Sequence, residues 1–182
     1  MVTYSESIGG MVQPFSIDRV WIAAELVKGI SAERSLAVDA QARADSPPDA
    51  ALSVLYHEIA IADERHATIV EKIAVRYGHT PSPTASGGIA QALGHLRDRF
   101  VGLASAGLDQ LILDVTSKAQ SVHWHAAWVH AFGAIGDGES ARELVAVLTE
   151  EQAHRDALQQ GLNRMVEQHA LGPVEIKTDT MI

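Results

Sequence analysis

The sequence predicts an all-α protein, a four-helix bundle built from two helical hairpins. Three observations lead there. Apolar residues recur at intervals of three and four over four long stretches. Clusters of proline and glycine fall between those stretches. No Asn-Gly or Asp-Gly pair is flanked by alternating polarity, since Asp137-Gly138 lies between two helical stretches.

Residues 1–16 carry glycines, a proline and no clear period, and read as a flexible N-terminal arm. The first helix is expected over 17–44, with Val20, Ala23, Ala24, Val27, Ile30, Ala37 and Ala40 as its apolar stripe. Ser46-Pro47-Pro48 stops it and starts the next, because proline suits a first helical turn. The second helix, 49–77, presents Leu52, Leu55, Ile59, Ala62, His66, Ile69 and Ile73 as a bundle seam, and Gly78 ends it. Residues 79–88 form a linker. A short extra helix, interrupted by Gly94 and Gly102, is expected over 89–103, within a segment that crosses the bundle. The third long helix spans 106–132, with Leu108, Leu111, Ile112, Val115, Ala119, Val122, Ala126 and Val129 inward. After a turn over 133–138, Ser140 and Glu143 have the spacing of a capping box. The fourth helix then runs to 169, where Gly172-Pro173 stops it. The domain is thus 17–170, with 171–182 as a C-terminal tail.

A chain of 182 residues with 47% hydrophobic content is long enough for one domain with a real core. No apolar run approaches the ~18 residues that span a bilayer. Residues 1–13 lack the basic start and apolar core of a signal peptide, so a cytoplasmic location is expected. The absence of cysteine excludes thiolate zinc sites, iron–sulfur clusters and disulfides, and leaves any metal to histidine and carboxylate. A formal charge of −9 argues against binding to a phosphate backbone. The expected partners are metal ions and a second copy of the chain in a homodimer, with neither nucleic acid nor membrane involved.

Glu151 and His154 stand three residues apart, on one face of a helix. Leu144, Val147, Leu148, Leu158, Leu162 and Met165 recur around them, so that face is the buried one. A buried carboxylate and imidazole need something to neutralise them, and a metal ion does so. Asp63 and His66 repeat the pattern half a chain earlier. Helices joined by a short turn mirror positions about that turn, because each residue adds the same rise. The mirror about Pro47-Pro48 sets Glu33 opposite Asp63 and His66, with Glu25 as a reserve. The mirror about Gly136-Asp137 lands near position 121, where His123 is the nearest candidate and His130 lies two turns further. The candidate metal ligands are therefore Glu33, Asp63, His66, His123, Glu151 and His154. Trp124 and Trp128, four apart, read as a packing or dimer surface.

This arrangement resembles the ferritin-like di-metal carboxylate proteins, in which each hairpin contributes one Glu and one Glu-x-x-His. Ser31-Ala32-Glu33-Arg34-Ser35-Leu36-Ala37 resembles their first-helix signature, and Asp63-Glu64-Arg65-His66-Ala67 their Glu-Glu-x-His-Ala stretch. Ala119-Gln120-Ser121-Val122-His123, followed by Glu150-Glu151, is similar to small bacterial ferritin-like proteins of the YciE/YciF type, with weaker similarity to rubrerythrin and bacterioferritin motifs. The resemblance covers 17–169. Two positions depart from it: Asp63 replaces a Glu, and His123 stands where the family has a bridging Glu. With fewer anionic oxygens, the site stabilises a di-ferric state less well. The resemblance implies one or two transition metal ions in the bundle core, iron or manganese before zinc. A redox-active site would act on iron, dioxygen or peroxide in a stress response, as an oxidoreductase of ferroxidase, peroxidase or catalase-like type. The alternatives are a non-enzymatic helical stress or assembly protein with a degenerate site, and a di-iron hydroxylase on the same scaffold.

Overall fold

A computed structural model describes residues 17–81 and 107–171 of the chain. They form four long helices: α1 (Arg19–Asp45), α2 (Ser53–Arg76), α3 (Leu108–Ala134) and α4 (Gly138–Leu171). A single 3-10 turn, Ala50–Leu52, leads into α2. The expected arm over 1–16, the crossing segment with its short helix over 89–103, and the tail beyond 171 lie outside the described residues.

Local chemistry sets the helix ends. The Asp18 carboxylate accepts from the Trp21 amide at 2.9 Å, satisfying one of the free donors at the start of α1. Asp49 does the same for Ala51 at 3.0 Å. At the end of α2, the His79 amide donates back to the Ala74 carbonyl and Gly78 to Val75, with Gly78 at φ +100°. The end of α3 repeats this closure: Asp137 donates to Phe132 and Gly136 to Gly133, with Gly136 at φ +81°. Left-handed backbone at these two points calls for glycine. The cap of α4 differs from expectation. Asp137 accepts from both the amide and the hydroxyl of Ser140, at 3.0 and 2.6 Å, so Asp137 is the cap and Ser140 a buried first-turn residue.

α1 pairs with α2 and α3 with α4, each pair forming an antiparallel hairpin. Contacts between the hairpins fix the remaining directions. Arg43, Glu33 and Trp21 of α1 meet Asp114, Ser121 and Trp128 of α3, so α1 and α3 run in opposite senses. His66 and Arg76 of α2 meet Glu151 and Ser140 of α4, and these too are antiparallel. It follows that α2 and α3 run in the same direction. α2 ends where α3 ends, while α3 begins beside Pro48 at the opposite end of the bundle.

The core has two apolar ends. One holds Ile22, Leu26, Ile30, Val70, Ile73, Trp128, Phe132 and Leu144. The other holds Leu52, Tyr56, Ile59, Leu111, Leu158 and Met165. Each large side chain removed from water stabilises the fold by roughly 1.5–3 kcal/mol. Between them lies a layer of buried polar residues: Glu33, Asp63, His66, Lys118, Ser121, His125 and Glu151. The inward faces of α2 and α4 are as expected; Ile30, Ala37 and Ala40 on α1 and Leu111 and Val122 on α3 are also buried as expected, but other positions of these two stripes are turned. Val20 is 81% exposed and Ile112 44%, while Ile22 and Leu26 on α1, and Lys118, His125 and Phe132 on α3, face the core instead. No helix among the described residues is long and apolar enough to cross a membrane.

Candidate metal centre

The polar layer draws on all four helices. Glu33 comes from α1, Asp63 and His66 from α2, Lys118, Ser121 and His125 from α3, and Glu151 from α4. Glu33, Asp63, His66 and Glu151 each offer one ligand atom, and these four atoms lie within 4.8 Å of one another, all buried. Such a group could hold a metal ion. The Nδ1 of His66 faces into it, 3.0 Å from Glu151 Oε1, 3.8 Å from Asp63 Oδ1 and 3.9 Å from Glu33 Oε2. Its Nε2 faces out and meets Glu150 Oε2 at 2.9 Å, and Arg65 in turn pairs with Glu150. A carboxylate on the outer nitrogen is what holds a metal-binding imidazole in the right tautomer and orientation.

The sequence reading did not single out Lys118. Its Nζ donates to Asp63 Oδ1 at 2.5 Å and to Glu151 Oε1 at 2.8 Å, inside the same layer. Ser121 donates to Glu33 Oε1 at 2.9 Å. The opposite oxygens, Glu33 Oε2, Asp63 Oδ2 and Glu151 Oε2, are buried with no hydrogen-bond partner in the protein, as are His125 Nε2 and His154 Nδ1. Buried polar atoms left unpaired in this way are costly, and five in one neighbourhood call for a common explanation.

Burial dominates the electrostatics. It raises the pKa values of Glu33 and Asp63, with the Glu151 charge adding to the effect and Lys118 opposing it. Burial would also raise Glu151, but the His66 hydrogen bond and the Lys118 charge outweigh it and hold this carboxyl below its ordinary range. Burial would lower His66 and Lys118, yet the surrounding carboxylates raise both. His125 has no such carboxylate bond and is pushed down to about 4 by burial, which keeps it neutral. A small cleft lined by Asp39, Arg43, Tyr56 and Asp114 reaches Asp63 and Lys118 from the bundle's side.

The expected residues divide. Glu33, Asp63, His66 and Glu151 come together. His123 does not join them: it is exposed, and its Nδ1 donates to the Ala119 carbonyl at 2.6 Å. The buried histidine of α3 is His125, with Nε2 3.8 Å from Glu33 Oε1. His154 is half-buried, one turn from Glu151 and outside the group of four. Glu25 is paired with Lys28, and His130 is exposed. A signal for Lys118 and His125 was present in the sequence. Leu111, Lys118, His125 and Phe132 recur every seven residues, as do Ser121 and Trp128, and this stripe is continuous once its polar members are allowed inside. No protein-family model, curated protein or solved structure matches the chain.

Proposed function

We propose that this is a ferritin-like metal-binding protein holding one transition metal ion at Glu33, Asp63, His66 and Glu151. The observation that carries this reading is the group of four converging ligand atoms, three of whose carboxylates leave buried oxygens unpaired. Charge supports a single ion. Glu33, Asp63 and Glu151 against Lys118 leave two negative charges when all are ionised, which one divalent cation neutralises. Three carboxylates and one imidazole favour manganese or iron over softer ions, with zinc compatible. The direction of the helices fits the proposed family, since a parallel α2 and α3 need one long connection, as ferritin-like bundles have. A redox-active ion would supply one-electron chemistry toward dioxygen or peroxide. The chain would hold it through the carboxylates, orient His66 through Glu150, and exclude bulk water with the apolar ends of the core.

Elemental analysis of the full-length protein is expected to give about one equivalent of metal. A Glu151→Gln/His66→Ala variant, checked for helical content by circular dichroism, is expected to lose it. Metal content unchanged in a folded variant would overturn the assignment.

One observation favours a second reading. The Lys118 ammonium already bonds to Asp63 and Glu151, as an ion would. On this reading the layer is a metal-free charge network in a non-enzymatic helical stress or assembly protein. The two readings part on a thermal shift: manganese(II), iron(II) or zinc(II) raises the melting temperature only if it binds the native state.

A further inference from the structure

A line of aromatic rings leads from the carboxylate group to the surface. His66 lies edge-on to His125, with ring centroids 6.4 Å apart. His125 stands edge-on to Trp124 at 4.9 Å. Trp124 meets Trp128, one turn along α3, at 5.8 Å, and Trp128 meets Trp21 of α1 at 5.9 Å. The line starts among buried rings and ends at the surface, with Trp124 half-buried on the way. His66 and His125 are fully buried, Trp128 is 8% exposed and Trp21 56%. The chain has three tryptophans, and all three stand on this path.

The seating of Trp124 is specific. Its six-membered ring lies against Gly29 of α1, where a Cβ would overlap the ring carbons. The backbone of one hairpin has been opened to admit an indole from the other, beside His125. Packing alone asks only for apolar bulk, which leucine or phenylalanine supplies elsewhere in this core. Indole differs from them in giving up an electron readily, and neighbouring indoles in contact pass that vacancy on.

We propose that Trp124, Trp128 and Trp21 form a path that carries a one-electron oxidising equivalent from the buried group to the surface. The proposal rests on the metal reading for its source, a redox-active transition metal ion raised in oxidation state by dioxygen or peroxide. Trp124 gives one electron to that ion, which falls by one oxidation state. Trp128 refills Trp124, Trp21 refills Trp128, and the radical cation on Trp21 releases its Nε1 proton to water. A soluble donor of one electron and one proton, such as a thiol, then restores Trp21. His125 bridges Trp124 to His66 and is not itself oxidised.

Two experiments separate the path from the metal site. In the first, metal-stripped full-length protein is flashed with tris(bipyridine)ruthenium(II) and persulfate, which produces a ruthenium(III) oxidant able to reach exposed Trp21. Peptide mass mapping is expected to find oxidation at Trp128 and Trp124 as well, falling several-fold in Trp21→Phe. Oxidation confined to Trp21, or undiminished at buried Trp128 and half-buried Trp124 in Trp21→Phe, would overturn the path. In the second, protein loaded with a measured content of iron(II) is treated with hydrogen peroxide. Oxidation of Trp21 is expected to exceed that of metal-free protein several-fold and to be lost in Trp128→Phe; equal oxidation of Trp21 in that variant would also overturn it. A chain that takes up no iron removes the metal reading and the oxidant's source, and the flash result alone then decides whether the indoles conduct.

Discussion

Lys118 changes the chemistry of the polar layer more than any other residue. Without it, Glu33, Asp63 and Glu151 would place three carboxylates around one histidine, a set suited to two ions. With it, two of those carboxylates already share an ammonium. Removing one partner of a buried charge pair leaves the other uncompensated, at a cost of about 3–5 kcal/mol. Lys118→Met keeps most of the stem and deletes the charge. The metal-free variant is expected to melt well below the parent chain. Saturating manganese(II) or zinc(II) is expected to raise its melting temperature more than the parent's, because no ammonium competes for Asp63 Oδ1 and Glu151 Oε1. Differential scanning fluorimetry of both proteins, with and without metal, measures the two shifts. Equal shifts would mean that ammonium and ion do not share those oxygens.

At the level of elements, glycine makes α1 and α3 fit each other. Gly29 is buried under Trp124, and a methyl group there meets a rigid ring that cannot yield. Overpacking of this kind costs about 1–3 kcal/mol, against a gain of up to ~1 kcal/mol for alanine over glycine in a helix. Gly133 near the end of α3 is the control, being exposed with nothing within 4 Å of a Cβ. Gly29→Ala is therefore expected to lower the melting temperature and shift the tryptophan emission, and Gly133→Ala to raise the melting temperature and leave the emission alone. Thermal denaturation followed by circular dichroism, beside a fluorescence spectrum, tests both. A stabilising Gly29→Ala would show that α1 and α3 separate easily at this level. Helix existence was legible because the breakers are local: Pro47-Pro48, Gly78 and Gly136 act within a turn. Helix rotation was not. On α3 the inward face carries Lys118, Ser121 and His125, and a reading that follows only apolar residues settles on Ile112 and Ala126, which are exposed.

At the scale of the whole molecule, level and phase behave differently. The level of a residue along a hairpin depends on counting from the turn, so the mirror about Pro47-Pro48 found Glu33 opposite His66, and the second mirror landed near Ser121, which does face the layer. Phase depends on about 100° per residue, so the step of two from position 121 to His123 turns the side chain by about 200°, onto the far surface. A small error in count along the helix axis thus becomes a change of side. The layer that results joins the two hairpins, because Glu33, Asp63 and His66 belong to one and Glu151 to the other. Buried ion pairs contribute little net stability by themselves, whereas a ligand that binds only the native state adds about 2.7 kcal/mol at a hundred times its Kd. Any opening that parts the hairpins must release the ion, while fraying of a helix end need not. Hydrogen exchange with saturating manganese(II) or zinc(II) is therefore expected to slow around Glu33, His66, Lys118 and Glu151 alike, and to stay unchanged near Arg19 and Leu171. Mass spectrometry of peptides from all four helices measures this. Slowing confined to α4 around Glu150 and His154 would mean that the ion sits on one helix surface, and that the hairpins are held together by their apolar ends alone.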